Sequence, residues 1–169
     1  MKKIIILLSI FIITSTLSAQ DADDLVKTGD IMPEFKLTST VNGNIDSKEL
    51  KGKIILINIF ATWCPPCQLE LAEIKNDLWP KYKDNPKFVM LTVGREHSDE
   101  ELTKYNEKKG FTFPLYPDQK RDFTSKFATK SIPRSYIVDE TGKIIYTSLG
   151  FQKKEFESLM KILDEKLSK

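Results

Sequence analysis

Lys53-Ile54-Ile55-Leu56-Ile57-Asn58-Ile59-Phe60-Ala61-Thr62-Trp63-Cys64-Pro65-Pro66-Cys67 decides the fold. Residues 53–60 are nearly all apolar and β-branched, the pattern of a central strand covered on both faces. Asn58 is the polar exception. A short turn follows, and a helix begins at Cys64. The stripe Leu71, Ile74, Leu78 carries that helix to about Trp79, where Pro80 is expected to end or kink it.

Working outward, Lys87 to Val93 reads as a second buried strand. Strand, helix, strand implies a right-handed parallel crossover. Ser98 caps the next helix, with Glu101 three residues on as its capping-box partner and Gly110 as its stop. Phe111 to Tyr116 reads as a short strand and Gln119 to Phe127 as a short helix. Arg134 to Val138 and Lys143 to Thr147 form a hairpin around Glu140-Thr141-Gly142. The last helix starts near Lys153, with Phe156, Leu159, Met160, Leu163 and Leu167 inward. Ahead of the central strand, Glu34 to Thr38 can be an edge strand, and Val41-Asn42-Gly43-Asn44-Ile45 reads as a hairpin turn. The expected class is α/β, with a mixed central sheet, helices on both sides, an N-terminal hairpin and a central insertion.

The chain begins as a secretion signal would. Met1-Lys2-Lys3 is a short positive start, Ile4 to Ile13 is apolar except for Ser9, and small residues follow up to Ala19. Residues 1–19 are therefore expected to be a signal peptide, cut after Ala19; a retained membrane anchor is the alternative. Residues 20–27 read as a leading tail, with Asp21 to Asp24 as a solvated acidic patch, and 28–169 as the domain. The whole chain has 26 basic and 24 acidic residues. Losing Lys2 and Lys3 with the leader leaves 24 of each and no net charge. Such a chain has no long-range field to gather nucleic acid or anionic lipid.

Cys64 and Cys67 are the 2 cysteines. A disulfide closing so short a loop restricts the unfolded chain very little, so it points to chemistry rather than stapling. Disulfide exchange needs a thiolate. At the mouth of a helix, Cys64 meets unpaired backbone N–H groups and the positive end of the helix dipole, and both favour the anion. Cys67, one turn deeper, shares its face. Pro65 and Pro66 suit a first turn, because their φ is preset and their missing N–H groups cost little there. Zinc would need about four ligands; two cysteines and His97 support it poorly, and no metal or cofactor is expected.

Phe60 to Cys67 after a buried strand resembles the active-site segment of thioredoxin-fold proteins. The similarity is greatest to the exported TlpA-type thiol–disulfide oxidoreductases, which include reductases of cytochrome c maturation. Gly29 to Leu37, Leu50-Lys51-Gly52-Lys53, Ser131-Ile132-Pro133 and Asp139 to Lys143 match the same branch, so the resemblance spans about residues 28 to 168. It implies a thioredoxin fold, attack by Cys64 and resolution by Cys67. It also implies a cis Ile132–Pro133 peptide, with the Ile132 backbone pairing an extended substrate. Cytoplasmic members carry a buried aspartate where this chain has Asn58. Asparagine cannot accept the Cys67 proton, so the base lies elsewhere or is water. No histidine separates the cysteines, which leaves less thiolate stabilisation and a more reducing pair.

Trp63 is expected to line the substrate groove, beside Pro65 and Pro66, with Asn58 beneath. Glu96 or His97 could move a proton at Cys67; the alternative is a polar loop capping the next helix. The function expected is a periplasmic reductase of disulfides in exported proteins. It would act as a monomer on protein thiol or disulfide substrates, be recharged by a membrane-bound thiol donor, and bind no nucleic acid. Two other readings remain: a thiol peroxidase of the redoxin type, and a copper-carrying chaperone using Cys64, Cys67 and His97.

Overall fold

The computed structural model describes residues 23–168, and the expected leader lies outside the described residues. The central strand forms as its composition requires: β3 (Ile54–Phe60) is buried at every position. β4 (Phe88–Arg95) lies parallel to it, with Asn58 beside Thr92 and Phe60 beside Gly94. β5 (Leu115–Asp118) continues the parallel side. On the other side β6 (Arg134–Val138) and β7 (Ile144–Leu149) run antiparallel, giving the order β5-β4-β3-β6-β7. This is the mixed sheet expected. β1 (Lys36–Ser39) and β2 (Gly43–Asp46) form a separate hairpin. Its turn is residues 40–42 rather than the expected 41–45, since Gly43, Asn44 and Ile45 already pair with Ser39, Thr38 and Leu37.

The helix after Cys64 differs from expectation in an instructive way. α1 (Pro65–Glu73) passes into a widened π turn at Ile74–Leu78 and on into α2 (Trp79–Tyr82). Pro80 therefore does not end the helix. A proline ring crowds the carbonyl four residues back and offers no N–H. The wider turn, in which Trp79 N–H donates to the Ile74 carbonyl, absorbs that defect upstream. Leu71, Ile74 and Leu78 stay buried throughout.

α3 (Asp99–Lys109) has both halves of the capping box and ends on Gly110 in the left-handed region, as its sequence reads. Two short elements differ. The strand expected at 111–116 sits at Leu115–Asp118, and the helix expected at 119–127 contracts to one 3-10 turn, Thr124–Lys126. Asp118 accounts for the second change. Its carboxylate accepts from the amides of Phe123 and Thr124 at 2.9 and 2.8 Å and from the Thr124 hydroxyl, drawing that stretch into a loop.

One sheet face packs α1, the widened turn after it and α4 (Lys153–Leu167), through Leu71, Ile74, Phe156, Leu159 and Leu163. Each such side chain contributes about 1.5–3 kcal/mol on burial. The other face is covered by Val26, Phe35, Leu37, Leu50, Phe123 and Phe127. Of the acidic patch, Asp23 and Asp24 are half-buried and paired to the fold rather than part of a free tail. Asp24 pairs with the buried guanidinium of Arg134, and Asp23 accepts from Ser131 at 3.1 Å. A buried cation requires a counter-charge, and only the fold reveals that Arg134 is one.

Candidate active site

The parallel β3–β4 pair brings the end of β3, the loop after β4 and the start of α1 to one edge of the sheet. Cys64 is the N-cap of α1, with Pro65 and Pro66 at its first two positions. The sulfurs of Cys64 and Cys67 are joined, with Cα atoms 5.3 Å apart, so the structure is the oxidised form. The Cys67 N–H donates to the Cys64 sulfur at 3.3 Å. The helix N-terminus therefore points a backbone donor at the sulfur that would carry charge once reduced. Cys64 is 4% exposed and Cys67 is 0% exposed, so an incoming group meets Cys64 first.

Antiparallel pairing of β6 with β3 puts the preceding loop beside the sulfurs. The Ile132–Pro133 peptide is cis. The Ile132 carbonyl oxygen lies 3.9 Å from the Cys64 sulfur. Trp63 is 61% exposed, and the Arg95 guanidinium sits 5.6 Å from its ring centre. Phe60, by contrast, is core.

Beneath the disulfide the structure supplies a residue that sequence reasoning missed. Glu70, one helical turn beyond Cys67, is buried against strands β3 and β6. Its carboxylate accepts from the Asn58 amide at 2.9 Å and from the Ser135 hydroxyl at 2.8 Å; Asn58 also donates to Ser135 at 3.0 Å. Burial pushes the Glu70 carboxyl up to about 7, although both hydrogen bonds pull it down. A group that titrates there can hold or release a proton at working pH. The sequence did carry a signal. Glu70 precedes Leu71 of the buried stripe and follows Cys67 by three, so it faces inward on the first turns of α1.

The two loop candidates sit differently. Glu96, at φ 64°, places its carboxylate between Arg95 (3.4 Å) and Arg121 (3.9 Å). The His97 ring is buried, and its Nε2 accepts the Thr62 amide at 3.0 Å. Among the described residues no three His, Cys, Asp or Glu side chains gather into a metal site.

Residues 27–163 match the Redoxin family. The chain is 30% identical over 134 residues to the thioredoxin-like protein YneN of Bacillus subtilis (strain 168), covering 78% of each. It is 28% identical over 130 residues to the thiol-disulfide oxidoreductase ResA of Bacillus thuringiensis (strain Al Hakam), covering 77% of this chain and 74% of that one. Among solved structures, a candidate protein disulfide isomerase from Bacteroides thetaiotaomicron superposes with a TM-score of 0.83. That pair is 30% identical, over 87% of this chain and 94% of the other. StoA of Bacillus subtilis shares the fold at a TM-score of 0.61 and 19% identity, over 77% and 98% of the two chains.

Proposed function

The chain belongs to the redoxin family and is a thiol–disulfide oxidoreductase of thioredoxin fold, and we propose that it acts as a reductase of disulfides in exported proteins. The observation that carries this reading is a joined Cys64–Cys67 pair at a helix mouth, beside the Ile132 carbonyl and the exposed Trp63.

In the reduced enzyme the Cys64 thiolate attacks one sulfur of a substrate disulfide. A Cys64–substrate bond forms, and the substrate's other sulfur leaves as a thiolate. Cys67 gives up its proton and attacks the Cys64 sulfur. The second substrate sulfur leaves, and the Cys64–Cys67 bond closes. Two electrons pass to the substrate, whose two thiolates take up two protons. Glu70 is the base we assign to Cys67, since it is buried on the same helix face and titrates near neutrality. The extended substrate runs along the Ile132 backbone, and the Trp63 indole covers its side chains.

Export through the N-terminal leader would place the protein in an oxidising compartment, where a membrane-bound dithiol donor has to restore the reduced form. The absence of an ionisable residue between the cysteines favours the reducing direction. The match to a ResA-named relative favours disulfide exchange over peroxide consumption.

Two measurements test this. Cys67→Ser should accumulate a mixed disulfide at Cys64, whereas Cys64→Ser should lose dithiol-driven reduction of a protein disulfide altogether. The reduction potential should lie near the reducing end, about −270 mV, rather than near about −120 mV. Retained activity in Cys64→Ser would overturn the chemistry, and a potential at the oxidising end would overturn the direction.

A further inference from the structure

The turn Ala61-Thr62-Trp63 delivers the chain from β3 to Cys64, and its backbone is held by side chains from other elements. Gln68 of α1 donates to the carbonyls of Ala61 and Thr62 at 3.4 and 3.2 Å. Gln68 is steadied in turn by the Tyr105 hydroxyl of α3. From the opposite side, His97 Nε2 accepts the Thr62 N–H at 3.0 Å. Both backbone polar groups of Thr62 are thus pinned by side chains of other elements, Gln68 nearby in sequence and His97 35 positions away. The ring is brought there by a costly turn. Glu96 takes φ 64°, a left-handed conformation that strains a non-glycine residue. Such strain persists where surrounding structure demands it, and here it aims the next residue at the dithiol turn.

We propose that His97 is a positioning residue of the dithiol site: its neutral ring pins the Thr62 amide and so holds Cys64 over the Cys67 N–H. This rests on the disulfide-exchange reading above. It differs from proton transfer at Cys67, because Nε2 is already engaged as an acceptor.

The hydrogen bond determines the tautomer. An accepting Nε2 carries no proton, so the ring proton is on Nδ1, which faces Glu101 Oε2 of α3 at 3.7 Å. Imidazolium could not make this contact, since it would oppose one N–H with another. The charged groups facing the ring are Glu101 from α3, Arg95 at the end of β4 and Glu96 in the turn after it; Arg121 in turn faces Glu96. Burial holds the ring below the ordinary histidine value, while the Glu101 and Glu96 carboxylates oppose that shift. The pin is therefore in place at neutral pH and is released on acidification.

The experiment compares the mature protein with His97→Gln and His97→Leu. The glutamine carbonyl can accept the Thr62 amide but does not titrate; leucine fills the space without an acceptor. The readouts are hydrogen exchange of the Thr62 amide by NMR, the pH profile of Cys64 alkylation in the reduced protein, and the rate of mixed-disulfide resolution. In His97→Leu, Thr62 exchange should quicken at least tenfold and the Cys64 midpoint should rise by about one unit, a tenfold loss of thiolate at a given pH below it. His97→Gln should stay near wild type in all three readouts. Wild-type Thr62 should lose protection in acid, while His97→Gln should not. Unchanged Thr62 exchange and Cys64 midpoint in His97→Leu would overturn the proposal. So would a His97→Gln protein that keeps Thr62 protected yet resolves slowly, since that is the mark of a proton-transfer group. If His97→Leu fails to fold, the contrast between wild type and His97→Gln in acid decides alone. Alkylation and amide exchange need no substrate, so a failure of the reductase reading would not disguise the outcome.

Discussion

The Asn58 side-chain amide donates to the Glu70 carboxylate at 2.9 Å, joining the central strand to the helix that begins at the dithiol. Ser135 of β6 closes the triangle through the same carboxylate at 2.8 Å. The three elements that build the site thus meet on one ionisable group.

That group makes stability depend on pH. Burial raises the Glu70 carboxyl from an ordinary 4.5 to about 7. The folded chain keeps a proton there that the unfolded chain releases between those values. Stability is therefore complete below the lower value and falls as pH rises through the upper one. The loss should be on the order of 3 kcal/mol. Urea unfolding of the oxidised protein at about pH 5 and about pH 8 should show it, and Glu70→Gln should abolish it. The same slope in both proteins would exclude Glu70 as the source.

Glu70→Gln should also slow resolution of the mixed disulfide by about 10²-fold at neutral pH, the usual scale of a lost proton acceptor. Attack by Cys64 should be much less affected. Stopped-flow measurement of the two steps separates them, and equal slowing of both would point to a general structural defect.

Trp63→Ala should leave folding stability within about 0.5 kcal/mol, because the indole is largely exposed. It should raise KM for a protein disulfide severalfold while leaving kcat near wild type. Thermal unfolding and steady-state kinetics check the two halves, and an unchanged KM would remove Trp63 from the substrate groove.

Asp24→Ala should cost about 3 kcal/mol, because it leaves the Arg134 guanidinium buried without its partner. The lower end of the usual range applies, since the Asp24 side chain is 19% exposed and that of Arg134 1%. Replacing both residues should cost less than the sum of the single changes. Additivity in denaturant unfolding would show that the pair does not couple.

Gly94→Ala should destabilise by about 1–3 kcal/mol through overpacking. A Cβ at Gly94 would lie 2.6 Å from Leu102 Cδ2, and Leu102 is itself buried in the core. Adding Leu102→Ala should make the change at Gly94 nearly neutral. A full penalty in that background would place the strain elsewhere.

Local pattern carried far in this chain wherever one stretch answers to one force. The capping box at Ser98 and Glu101 and the stop at Gly110 depend only on neighbours along the helix, and both form as read. Pro80 and the segment 119–127 were legible only in part. A widened turn upstream absorbs the proline, and the Asp118 carboxylate outcompetes a helix. In each case the deciding contact is only five or six residues away, but it is a hydrogen bond, which the spacing of apolar residues does not register.

By itself the sequence determined a buried strand leading into a helix that starts at Cys64, with a second sulfur one turn on, because strand burial and helix phase are written in consecutive residues. Only the tertiary structure decided what surrounds the sulfurs. Glu70 meets Asn58 and Ser135, His97 reaches Thr62, Asp24 reaches Arg134, and the Ile132 carbonyl comes to Cys64. These partners are separated by as many as 110 positions along the chain. Their pairing follows from strand order and register, so the burial that tunes each charge exists only once the sheet has assembled.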